Sequence, residues 1–76
     1  MKELLEYIAK SLVDFPDDVL VSEVEGEQSV ILELRVIESD MGKVIGKQGR
    51  IAKSIRLVMK AAAAKENKRV VVEIIQ

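Results

Sequence analysis

Met41-Gly42-Lys43-Val44-Ile45-Gly46-Lys47-Gln48-Gly49-Arg50-Ile51 sets a glycine-bounded tetrad between two apolar segments. Two glycines three apart leave the backbone bare, so a phosphate can approach main-chain N–H groups that a Cβ would shield, and Lys47 adds charge at the same point. Apolar residues stand on both sides, Val44 and Ile45 before the tetrad and Ile51 and Ile55 after it, which predicts a loop joining two packed helices. A helix opening at Arg50 would aim its first free N–H groups and its positive dipole end back at the loop. The pattern suits a clamp on a polyanion backbone that is indifferent to base sequence.

Charge is distributed to match. Residues 1–41 carry eleven acidic side chains against Lys2, Lys10 and Arg35, a net of −8, whereas residues 42–76 carry nine basic ones against Glu66 and Glu73, a net of +7. The formal total of −1 conceals this division. Because fields are screened over about 8 Å at physiological salt, the basic half acts on its own surroundings. On a helix from Arg50, the residues Arg50, Lys53, Arg56 and Lys60 fall at about 0, 300, 240 and 280 degrees when each residue advances about 100 degrees. They form a stripe leading away from the loop, continuous with Lys43 and Lys47. An isolated stripe of this kind would read as the solvated face of an amphipathic helix; its continuity with the loop makes it a candidate phosphate track.

Seventy-six residues make one domain, residues 1–76, near the lower limit for a self-sufficient core and too short for a separate catalytic domain. With 49% hydrophobic and 33% charged residues the chain reads as globular and soluble. Glu3, Glu6 and Lys10 interrupt any signal-peptide core, and no apolar run spans a bilayer, so a cytoplasmic location is expected, with no membrane partner. The absence of Cys agrees with a reducing compartment.

The coarse pattern is helix, strand, strand, helix, helix, strand. Leu5, Ile8, Ala9 and Leu12 recur at helical spacing, giving a helix over 2–13 that stops before Pro16. Residues 19–24 and 29–37 read as a hairpin around Glu25-Gly26-Glu27-Gln28, with Val30, Leu32, Leu34 and Val36 on one face. Ser39 or Asp40 is expected to cap a short helix ending at Ile45, and a longer helix runs from Arg50 to about Glu66, with Asn67 as its stop. Arg69 to Ile75 has the composition of a buried strand, with Val70, Val72 and Ile74 expected to face the same core. If strands two and three are adjacent, they are parallel with a right-handed crossover, and all three helices stack on one face of a mixed three-stranded sheet, an α+β sandwich.

This order, with Val44-Ile45-Gly46-Lys47-Gln48-Gly49-Arg50-Ile51 at the helix-helix junction, resembles a type II K-homology (KH) domain over the whole chain, and in particular the small bacterial single-KH RNA-binding proteins of the KhpA group. The resemblance implies that Gly46, Lys47, Gln48 and Gly49, the GXXG loop, grip the sugar-phosphate backbone of single-stranded RNA. A groove between the flanking helices and the sheet would hold a few unpaired bases. It also implies pairing, as a homodimer or as a heterodimer with a larger KH-containing RNA-binding protein, and a role as an RNA chaperone or post-transcriptional regulator. Lys43, Arg50, Lys53 and Arg56 complete the expected RNA-binding set.

Competing readings are weaker. A bare G-x-x-G can be only a tight turn, but here lysine lies inside it, arginine follows it and the element order fits. Gly42 and Gly46-Lys47 are one residue too close for a Walker A loop, with Gln48 where Ser or Thr would bind Mg²⁺. RRM and OB folds stack bases on exposed rings, whereas Tyr7 and Phe15 are the only aromatic residues here and read as packing residues. No His or Cys is present, removing the commonest base, thiol nucleophile and zinc ligands, so no enzyme, cofactor or small-molecule substrate is expected. Glu23, Glu25 and Glu27 could share one side of the hairpin around a divalent ion, but like charges that protect an edge strand are the stronger reading, and Asp17 and Asp18 are turn residues. The alternative in a different class is a protein-interaction adaptor acting through dimerisation. Ala61 to Ala64 surround a full turn of the long helix and would admit a second helix closely, although alanine is also simply the best helix former.

Overall fold

A computed structural model describes residues 1–75, with α1 at Lys2–Leu12, β1 at Leu20–Glu25, β2 at Ser29–Arg35, α2 at Met41–Ile45, α3 at Arg50–Ala64 and β3 at Arg69–Ile75. Single 3-10 turns occupy Pro16–Asp18, Glu38–Asp40 and Lys47–Gly49. The α-β-β-α-α-β order is therefore as the sequence predicts. β2 is central, antiparallel to β1 and parallel to β3, so the sheet is mixed.

Alternation along β2 sends Val30, Leu32 and Leu34 to one face, where they meet Val21 from β1 and Val72 from β3. Leu5 and Ala9 of α1, Val44 of α2, and Ile55 and Met59 of α3 close over them from the same side. The helix layer leaves the other face of the sheet bare. Val71 is accordingly 52% exposed while Val72 is 5% exposed, so β3 is buried on its helix-facing side, as the single layer of helices requires.

Three expectations need correction. Tyr7 and Phe15 are 73% and 52% exposed, surface rings instead of packing residues. Asp40 occupies the N-cap position of α2 but makes no side-chain cap. Its carboxylate, 1% exposed, instead accepts the N–H groups of Asp14 at 3.2 Å and Phe15 at 3.1 Å, pinning the segment after α1 to the start of α2. β2 ends at Arg35, two residues earlier than expected, because the chain turns into Glu38–Asp40, although Val36 stays in the core.

The end of α3 follows its sequence signal. Asn67 takes φ 57, the left-handed conformation that a short polar side chain tolerates. Lys68 N–H then donates to the Ala63 carbonyl and Asn67 N–H to that of Ala64, the paired closing bonds that satisfy a helix C-terminus.

Candidate nucleic-acid interface

The loop is held differently at its two glycines. Gly46 has φ 78 and ψ 173, a region open essentially to glycine alone, and a Cβ there would come within 2.5 Å of Ile51 Cγ1. Ile51, inserted from the first turn of α3, therefore fixes where the loop begins. Gly49 has φ 74, but a Cβ added to it would meet nothing within 4 Å, so the space over its backbone is open. Gly49 N–H closes the turn on the Gly46 carbonyl at 3.1 Å. Between them Gln48 sits at φ 59, and its Oε1 accepts from Arg50 Nη2 at 3.3 Å.

Gly49 is also the N-cap of α3, and no side chain caps that end. Arg50 N–H, the first of this 15-residue helix, donates to the Lys47 carbonyl, and the helix dipole adds positive potential beside Lys47. Among the described residues, Lys47, Arg50, Lys53 and Lys60 take part in none of the ion pairs, so their charge is not spent internally.

Two predicted site residues are engaged. Lys43 Nζ lies 3.2 Å from Asp14 Oδ2 and 3.8 Å from Asp40 Oδ1, and so serves as counter-ion to the buried Asp40 carboxylate. Arg56 donates from Nε to the Val72 carbonyl at 3.2 Å, bridging α3 to the open edge of β3. Beyond that bridge the same cleft widens into a cavity of about 450 Å³ lined by Lys60, Ala64, Lys68, Arg69, Val70 and Val71. Sequence reasoning did not single out Lys68 and Arg69. Their place in the chain was the available signal, because Lys68 and Arg69 follow Ala64, the last residue of α3, by only four and five positions.

The opposite flank of α3 is apolar. Ile8 and Leu12 of α1 face Ile51, Ile55 and Val58 across a groove of about 390 Å³, with Arg50 and Ser54 also in its lining and Val58 46% exposed. Of the four alanines, Ala63 is buried, Ala62 half-buried, and Ala61 and Ala64 exposed.

Glu25 is ion-paired with Lys68 across the sheet, and among the described residues no group of acidic side chains is arranged to hold a metal. No helix among them is long and apolar enough to cross a membrane.

Comparison with known proteins yields one family. Residues 2–74 match the family model described as KhpA/KhpB, KH domain. The RNA-binding protein KhpA of Clostridium acetobutylicum is 80% identical, with 99% of this chain and 100% of that protein covered. The protein of the same name from Clostridium perfringens is 76% identical over the same shares, and that from Aquifex aeolicus is 51% identical over 100% of this chain and 96% of the relative. No solved structure matches the chain.

Proposed function

This chain belongs to the KhpA/KhpB family of KH domains, a family of RNA-binding proteins and not of enzymes, and from that premise we propose that it grips short single-stranded RNA through Gly46, Lys47, Gln48 and Gly49. The observation that carries the reading is the coincidence at Gly49 of uncrowded backbone, an uncapped helix N-terminus and a neighbouring lysine outside every ion pair among the described residues. Phosphates lie against these groups, and Arg50, Lys53 and Arg56 guide the strand away along α3. The bases enter the cleft between α3 and the open edge of β3. Lys43, bound to two carboxylates, contributes field more than contact.

The module acts as a single domain over residues 1–76, in the cytoplasm, as an RNA chaperone or post-transcriptional regulator. It pairs through the apolar groove between α1 and α3, either with a second copy or with a larger KH-containing RNA-binding protein. Pairing has a physical motive, since a groove for about four nucleotides binds weakly alone and two linked grooves gain effective concentration. That same groove favours the second reading, an adaptor that works mainly by dimerisation.

Salt separates the two. Binding of a fluorescent single-stranded RNA should weaken with a log-log slope of about −0.7 per neutralised phosphate, so about −3 for four. A chain that binds RNA with no salt dependence, or not at all, while still pairing through its groove, would leave the adaptor reading standing.

A further inference from the structure

Arg56 is the one cation of the α3 stripe that touches the sheet, and the place it touches has chemical meaning. Arg69 N–H donates to the Gln28 carbonyl, on the side of β3 that faces β2. Backbone groups alternate along a strand, so residues of odd number in β3 turn inward and Val70, Val72 and Ile74 turn their N–H and C=O groups to the open edge. The Val72 carbonyl has the outward parity, and it is this acceptor that Arg56 Nε occupies at 3.2 Å. The bond is part-buried, so water competes for it less than at a free edge.

We infer that Arg56 is a specificity-determining residue for RNA: by covering the Val72 carbonyl it makes the middle of the cleft a row of donors, favouring bases with a carbonyl oxygen at pyrimidine position 4 or purine position 6 over bases with an amino group there. The donors are the Val72 N–H and the remaining guanidinium N–H groups. A uracil O4 or guanine O6 satisfies them. The amino group of cytosine N4 or adenine N6 faces those donors and meets a Val72 carbonyl with one lone pair already engaged, so it is disfavoured by about one net hydrogen bond. The inference rests on the reading that bases enter the cleft between α3 and β3.

The substitution that isolates this role is Arg56→Lys. Lysine keeps the charge but has a methylene where arginine has Nε, so it lacks a donor at the atom that reaches Val72. Hexamers of uridine and of cytidine are titrated against the intact chain. The wild type should prefer uridine about fivefold, the factor that one net hydrogen bond supplies. Arg56→Lys should bring the ratio near one with the salt slope unchanged, whereas Arg56→Met should do the same and flatten the slope by about 0.7. A uridine hexamer carrying one inosine should beat the same hexamer carrying one adenosine in the wild type only. An unchanged ratio in Arg56→Lys, or an equal loss for both hexamers, would overturn the inference while leaving the clamp intact. Absence of any binding that depends on Lys47 and Gln48 would remove the RNA reading and this inference with it.

Discussion

The two flanks of α3 make an instructive pair. Towards β3 the helix presents Arg56 and Lys60; towards α1 it presents Ile51 and Val58. Between them Ala52, Met59 and Ala63 are buried in or beside the core. A helix turning about 100 degrees per residue can thus divide its circumference into three strips without any strip interrupting another. The difference teaches that affinity for a polyanion and affinity for an apolar partner can be altered separately on one element, provided that the core strip is left alone.

The sharpest way to break that separation lies at the loop. Replacing Lys47 and Gln48 together by aspartate should lower RNA affinity by about 100-fold or more, since two anions then face phosphate where one cation stood. Asp tolerates the left-handed backbone at position 48, so the melting temperature should hold. Unchanged affinity in the folded variant would exclude the loop as the clamp, and loss of pairing in the same variant would show that the two flanks are not independent.

Next in size is the contrast between the glycines. Gly46→Ala should destabilise the fold by about 3 kcal/mol, from a glycine-only backbone and contact with Ile51, while Gly49→Asn should cost under about 1 kcal/mol. Urea unfolding measures both. Equal costs would mean that Ile51 does not lock the loop's entry. The apolar flank is probed by Val58→Glu, in the groove lining, which should weaken pairing about tenfold in sedimentation equilibrium while leaving the affinity of one chain for a short oligonucleotide unchanged. The smallest effect belongs to Lys53→Ala: about threefold weaker binding for every base sequence, with the salt slope flatter by about 0.7, because a phosphate contact carries no base information.

Which features are legible follows from how local their causes are. The helix at α1, the hairpin, the loop and the cationic stripe each rest on spacings of two to four residues, and the sequence displays those directly. Asp40 reads as a local cap because Asp is a good one, yet its partners lie at Asp14 and Phe15, 26 and 25 positions earlier. Nothing within reach in the chain announces that contact. The same holds for Lys43, whose charge looks free in a string of residues and is bound only once Asp40 and Asp14 converge. Arg56 can be placed on the correct flank by its angle, but its bond to Val72 depends on how β3 sits beside α3. Tyr7 and Phe15 mislead for a different reason: an aromatic ring is usually worth burying, and only the full set of core side chains shows that these two are not needed there.

The parallel pairing of β2 with β3 also bears on how the chain is made. Ser29 lies beside Arg69 and every later rung keeps that offset of forty positions. During synthesis the hairpin can close almost as it emerges, but the far edge of its central strand has to wait for another forty residues, about two to eight seconds at ordinary elongation rates. Throughout that interval Leu32 and Leu34 sit on a strand with one side unpaired and part of their cover still missing. On a message carrying several ribosomes, neighbouring nascent chains would hold several such edges at high local concentration. The speed with which Arg69 to Ile75 docks once it has emerged therefore sets the time available for the wrong strand to arrive first.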